Sequence, residues 1–419
     1  MQSAQGAGGA YRFEVVAKSG DGIPGGVDDT FGQYFVIGGI DPRGEVAFDN
    51  FYQTADIDAL FICGRGASRS LMVAGQTAPG GGLYLELDTP AAVDEWGDVS
   101  FVSSLNDYTH PVGLGDGVYR YDAWRRTTEA LVVPYVTAAP GGGQFQGALN
   151  VSMDKLRRTI FQGMISTDKG AHNDKLGLGI FRQNLDGTIV SILSPGDPGP
   201  GGDVFDYAGE ASGNTRGDTA ITAHLSQDRC GVNRPSGIFC HAGVYLKTHD
   251  GALRAVAPLD GIAPGGSTYA GCFSPRLNDR GQLVFTCGTE ADTGIFLDEG
   301  RGVSAIARTG TALPGGNTLS DTNGNISLNE RGEVAFIGVL DTSTVNQLDT
   351  GVYVWSKGQL HLVARAGTVV PGLGAITGVD TQSAYTGTQI NDRGQIAFVA
   401  GMSDGSTAVV VATPEGIFE

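Results

Sequence analysis

Leu328-Asn329-Glu330-Arg331-Gly332-Glu333-Val334-Ala335-Phe336 reads as half a β-hairpin. Asn329 to Gly332 is turn chemistry, with Gly332 free to take a positive φ. Glu333 to Phe336 then alternates in the manner of a short strand. The phrase recurs. INDRGQIAF ends at Phe398, LNDRGQLVF at Phe285 and IDPRGEVAF at Phe48. Looser copies, VDEWGDVSF, MDKLRRTIF and GNTRGDTAI, end at Phe101, Phe161 and Ile221. These seven copies lie 51 to 64 residues apart. Pro-Gly-Gly or a close variant is interleaved with them, beginning at Pro24, Pro79, Pro140, Pro200, Pro264, Pro314 and Pro371. Two markers with one count point to a repeat architecture before any other reading.

One repeat holds four strands. Asn325 to Leu328 is the first, and Glu333 to Leu340 follows the turn. Gly351 to Trp355 and Leu360 to Arg365 are joined by a tight Ser356-Lys357-Gly358 turn. Four antiparallel strands make a propeller blade. The last repeat has only its second and third strands, Gln395 to Ala400 and Thr407 to Ala412, after the final NDRG. The missing outer strand and its Pro-Gly-Gly loop stand at the other end of the chain, Tyr11 to Ala17 and then Pro24-Gly25-Gly26. The expected fold is therefore an all-β, seven-bladed β-propeller whose N-terminal strand completes the blade carrying the C-terminus. Such a closure removes exposed sheet edges. Residues 1–10 are expected to be a flexible segment and 11–419 a single propeller domain.

The formal net charge of −18 leaves no basic stripe to neutralise phosphates, so no nucleic-acid partner is expected. No apolar run approaches the roughly 18 residues of a membrane span. Met1 to Gly6 lacks the basic and apolar regions of a signal peptide. The cysteines speak to compartment. Cys272 and Cys287 flank the Asp279-Arg280 turn. In a two-residue hairpin loop Asn278 faces Gly281, which places the two cysteines opposite each other. Cys230 and Cys240 bracket an excursion that a second bridge could close. Two bridges imply an oxidising compartment: secreted, periplasmic or cell-surface. Cys63 is read as a buried small hydrophobe.

The loops between second and third strands, and those between blades, are long and irregular. Binding sites favour such loops. His110, His172 and His224 all fall in second-to-third-strand loops of consecutive repeats. Histidine suits acid–base work near neutrality. With Tyr108 and Tyr207 these are the candidate catalytic residues. Tyr207 and Tyr269, like Tyr34 and Tyr385, recur in the loops between blades. Arg276 lies on a first strand where the other copies have Gly39, Ala92, Ser152, Ser212, Ser327 and Gln389. An Arg there can grip a carboxylate with two parallel hydrogen bonds, or pair with an Asp of the next blade. Arg229, Arg234, Asn173 and Tyr269 complete the candidate substrate-binding set. Asp107, Asp116, Asp168, Asp206 and Glu210 supply carboxylates, but no pair stands out. His224, Cys230, Cys240 and His241 are types that ligate zinc, in competition with a disulfide. No cofactor is expected; a structural zinc or calcium ion stays open. HExxH, GxSxG and Walker motifs are absent.

The repeated NERGEVAF, NDRGQIAF and NDRGQLVF resemble the tandem-repeat family named for its NxxGxxAF motif, found in secreted or surface-anchored bacterial proteins. That resemblance implies export and a propeller, and little about activity. By residue type, His110, His172, His224, Tyr108, Tyr207 and Arg276 are similar to the site inventory of seven-bladed propeller polysaccharide lyases. Those enzymes use His and Tyr as base and acid on uronic-acid polysaccharides, with Arg or another group neutralising the carboxylate. The resemblance implies a secreted polysaccharide lyase acting on an acidic polysaccharide by β-elimination, and a monomer is expected. The alternatives are a non-catalytic propeller that binds glycan or protein, and a glycoside hydrolase using funnel carboxylates.

Overall fold

A computed structural model describes residues 10–25, 28–64, 67–87, 89–106, 115–166, 176–226, 242–344, 347–380 and 387–415. The chain is an all-β, seven-bladed β-propeller. Its blades span 36–73, 83–132, 145–193, 205–257, 269–308, 319–365 and 374–415, numbered 1 to 7 in that order. Blade 7 takes Ala10–Lys18 as its outer strand, antiparallel to Thr407–Glu415 with Phe13 opposite Ala412. The split repeat thus closes as expected. Among the described residues the only helical turn is Pro200–Gly202, and no helix is long and apolar enough to cross a membrane. The chain divides into two compact units: Met1–Ala74, Glu95–Gly97 and Ile306–Glu419, and Gly75–Asp94 with Asp98–Ala305. The first holds blades 1, 6 and 7. The second holds blades 2 to 5 apart from 95–97 and 306–308.

The recurring phrase has a physical role at each position. Asn329 Oδ1 accepts the N–H groups of Arg331 and Glu333, both at 3.0 Å, which closes its own turn. Asn329 Nδ2 donates to Glu333 Oε2 at 2.7 Å and to the Asn391 carbonyl of the next blade at 3.0 Å. Asn391 repeats this on Asp41 of blade 1 at 2.8 Å, and Asn214 on Asn278 at 3.4 Å. One buried amide therefore serves both the hairpin and the joint between blades. In a second joint the next blade supplies the side chain: Asp392 accepts the Glu330 N–H at 2.8 Å and Asp279 the Thr215 N–H at 2.7 Å.

Gly332 has φ 80°, the left-handed conformation the turn requires. Blade 3 puts Arg157 there instead, with φ 62°. Its guanidinium bridges Asp98 and Asp122, the latter at 3.0 Å. In five blades the closing Phe of the phrase faces an aromatic residue on the third strand; in blade 7 Phe398 faces Val410. Phe48 opposes Phe61, Phe101 Tyr119, Phe161 Phe181, Phe285 Phe296 and Phe336 Tyr353. Four of these pairs are stacked at 5.4 to 5.8 Å between centroids. All ten rings are buried, and each contributes about 1.5–3 kcal/mol through apolar burial.

First strands run further than the turn phrase alone suggests. Blade 6 begins at Leu319, with a break in register between Asn323 and Ser327. Each of blades 1 to 6 has a comparable bulge in its first strand. A bulge re-aims side chains and adds twist.

Candidate active site

The second unit concentrates polar side chains at these bulges. In blade 4, Tyr207 on Phe205–Gly213 lies opposite His224 on Thr219–Leu225. Directly opposed residues share a face of the sheet, and their rings stack 5.0 Å apart with planes at 10°. Asp206 is skipped in the ladder between Phe205 and Tyr207. That bulge aims its carboxylate at His224 Nδ1. Asp206 is exposed and His224 only 5 % exposed.

Gln162 reaches in from blade 3. Its Nε2 donates to the Ala208 carbonyl at 2.7 Å, its Oε1 accepts from Asn150 Nδ2 at 3.1 Å, and its side chain hydrogen-bonds Tyr207. Burial nevertheless pushes the Tyr207 phenol above its ordinary range, and Glu210 adds to that push. The phenol is therefore a proton carrier at neutral pH.

A second bulge, between Ala208 and Ala211, frees Gly209 and Glu210 from the ladder. Thr222 Oγ1 accepts the Glu210 N–H at 2.8 Å. A Cβ on Gly209 would stand 2.7 Å from Thr222 Oγ1 and 3.1 Å from the Tyr207 ring. Glycine is needed there for the ring to lie where it does. The Glu210 carboxylate lies within electrostatic reach of Arg276 of blade 5 and accepts the Ser274 N–H. Burial raises the Glu210 carboxyl against both partners, and it lowers the Arg276 guanidinium against the pull of Glu210. Both side chains keep partial solvent access. Blade 5 carries its own bulge between Phe273 and Arg276, with Ser274 at φ 52°. Phe273 stands 47 % exposed beside it. In blade 2, Asp116 is raised by burial and then by Glu86.

The sequence expectations meet mixed outcomes. Tyr207 and His224 do come together, but neither is a loop residue; both sit on strands, and His224 is covered by the Tyr207 ring. Arg276 lies on a first strand as expected, and its charge partner is Glu210 of the neighbouring blade. Tyr269, expected at the substrate, is 2 % exposed and packs on Phe285 and Phe296 in the blade core. It opens its strand at the position Phe205 holds in blade 4, which is a packing position. His110, Tyr108, His172, Asn173, Arg229 and Arg234 lie outside the described residues, as do Cys230, Cys240, His241 and Tyr385. Among the described residues no group of three or more His, Cys, Asp or Glu is placed to hold a metal ion. Cys63 is buried and free.

Cys272 and Cys287 form the expected disulfide. The route to it differs. The turn spans three residues, with Asn278 and Gln282 closing it and Leu277 facing Leu283. That shifts the register by one, and the bulge at Ser274 and Pro275 shifts it back, so Cys272 still faces Cys287.

Glu210, Asp206, Gln162 and Phe273 gained no distinction from the turn phrase. A signal was present in the first strands. Tyr207 stands where blades 3 and 5 have Gly147 and Gly271, and Glu210 where they have Asn150 and Ser274. A cleft of about 540 Å³ in the first unit, lined by Lys18, Phe31, Gln33, Gln53 and Asp404, holds one ion pair, Lys18 with Asp404 at 3.6 Å. It contains no comparable acid–base group.

Among solved structures, the fold is similar to an oligogalacturonate lyase from Vibrio parahaemolyticus, with TM-score 0.51 and 10 % identity over 97 % of this chain and 98 % of that one. The β-propeller domain of the trilobed protease from Pyrococcus furiosus gives TM-score 0.48 and 7 % identity over 91 % and 94 %. A gluconolactonase from Xanthomonas campestris gives TM-score 0.38 and 13 % identity over 95 % and 98 %. At such identities the likeness is one of fold. No curated protein matches the chain in sequence. Residues 4–416 match a family of unknown function, DUF7453, and the chain belongs to that family.

Proposed function

We propose that this protein is an exported carbohydrate-active enzyme that cleaves a uronic-acid-containing polysaccharide by β-elimination at the blade 4–5 bulges. The observation that carries the reading is the Asp206–His224–Tyr207 stack three residues from Glu210 and its partner Arg276. β-Elimination needs a base for the C5 proton, a donor for the leaving oxygen and positive charge beside the carboxylate. Tyr207 is the donor, since burial keeps its phenol protonated. His224, held by Asp206, positions that ring. Arg276 stabilises charge on the uronate as the C5–H bond breaks and the C4–C5 double bond forms. Glu210, its carboxyl raised by burial, relaxes its hold on the guanidinium when it is protonated. The base is a histidine, with His110 and His172 as the candidates. The proton that the base takes returns to Tyr207 through solvent. The disulfide supports an oxidising compartment.

One observation favours a second reading. Glu86 and Asp116 of blade 2 and Asp206 and Glu210 of blade 4 supply carboxyls in the second unit, and burial raises two of them, Asp116 and Glu210. Glycoside hydrolysis uses such a protonated acid with an ionised partner. The products separate the two. On a panel of uronic-acid and neutral polysaccharides, β-elimination yields the absorbance of an unsaturated uronate, absent with Tyr207→Phe. Reducing sugar without that absorbance makes the protein a hydrolase. Neither signal, from folded protein, overturns both and leaves a binding propeller.

A further inference from the structure

We propose that the turn tips of blades 2 and 3 in the second unit dock on an anionic lipid membrane. Trp124, Leu156 and Leu185 are 86 %, 45 % and 62 % exposed. Each occupies a tight turn at the same end of its blade. Scattered surface apolar residues need no explanation. These do, because the repeat specifies something else. At the position of Leu156, the copies in blades 1, 4, 5, 6 and 7 carry Arg43, Arg216, Arg280, Arg331 and Arg393. Between third and fourth strands the other turns read THDGA, DEGRG and SKGQ, without a large apolar residue. Blades 2 and 3 have exchanged polar tips for Trp and Leu.

The Trp124 and Leu156 tips are held together. Arg157 beside Leu156 pairs with Asp122 at 3.0 Å, and Arg120 donates to the Arg157 carbonyl at 2.8 Å. Trp124 follows Asp122 by two residues. Its neighbours are cationic: the Arg125 guanidinium lies 6.0 Å from the Trp124 ring, Arg126 is exposed, and Lys155 precedes Leu156. Asp186 beside Leu185 is the opposing charge. Protruding Trp and Leu flanked by Arg and Lys are suited to a headgroup boundary, where the indole lies at the interface and the cations meet anionic lipid. Aliphatic tips give nothing to a sugar hydroxyl, which favours lipid over glycan. With a net charge of −18, the rest of the chain is repelled by an anionic surface. The repulsion turns this face toward it.

The test floats the full chain with phosphatidylcholine vesicles, with and without a large fraction of phosphatidylglycerol. The expected result is low-salt binding that requires phosphatidylglycerol and comes with a blue shift of tryptophan emission. Trp124→Ala should weaken partitioning about tenfold, and Trp124→Phe should abolish most of the shift. Replacing Arg125 and Arg126 by Ala should remove the preference for phosphatidylglycerol. Trp124→Ala should leave activity on soluble oligosaccharide unchanged, so a failure here is separate from a failure of the enzymatic reading. The proposal is overturned by no vesicle binding, or by binding equal in Trp124→Ala. It is also overturned by retention on immobilised polygalacturonate, or self-association in sedimentation, that Trp124→Ala abolishes while vesicles stay unbound.

Discussion

The two ends of a first strand obey different rules. At the turn the seven copies agree on Asp or Asn, because one side-chain oxygen must accept the N–H that closes the hairpin. Asn214, Asn329 and Asn391 also reach the next blade, each through its Nδ2. At the bulge the copies diverge. Asn150, Glu210 and Ser274 occupy one position in three consecutive blades, and Tyr207 displaces a glycine. The bulge backbone is already out of the ladder, so its side chains are released from packing. Repetition marks what holds the ring, and deviation marks what is free to bind.

Four measurements bear on that contrast. Tyr207→Phe keeps the stacked ring and loses the proton carrier. It should cost roughly 10²–10⁴-fold in turnover with the urea midpoint nearly unchanged. An unchanged rate would mean that the divergent positions are not catalytic. Replacing Cys272 and Cys287 together by Ser should cost about 3 kcal/mol in urea unfolding, given the 15-residue separation. If stability holds, the compensating register shifts need no bridge. Asn329→Ala removes a cap and an interblade bond from a residue 3 % exposed. A loss of about 2 kcal/mol is expected, with activity per folded molecule preserved. Lost activity without lost stability would reverse the assignment of the two ends.

The smallest effect concerns Asp116, whose carboxyl is raised in the folded chain by burial and then by Glu86. A raised acid binds its proton more tightly when folded. Its contribution is full below the ordinary carboxylate range and is lost as pH rises through the folded value. Stability should therefore decline across that window, and Asp116→Asn should flatten the decline, giving a variant slightly more stable at neutrality. Urea midpoints over a pH series check this; parallel curves for the two proteins would contradict the burial.

Much of the ring was legible. The turn phrase, its period and the split repeat required only local chemistry and counting. Tyr269 was misjudged because an aromatic near a loop looks the same whether its ring faces solvent or the blade core, and here the core claims it. His224 reads as a loop residue because its strand, Thr219–Leu225, continues past the alternation. The Cys272–Cys287 pair was anticipated through a turn one residue too short, rescued by an unseen bulge.

By itself the sequence determined the seven blades, their closure through Ala10–Lys18 and the turn that joins them, since each rests on contacts recurring at a fixed spacing along the chain. Only the tertiary structure decided that Arg276 lies within electrostatic reach of Glu210, that Gln162 reaches Tyr207, and that Asp206 turns toward His224. The first two pairings cross between blades, between residues 66 and 45 positions apart. The third depends on a bulge, whose one-residue shift of register leaves no periodic trace in the chain.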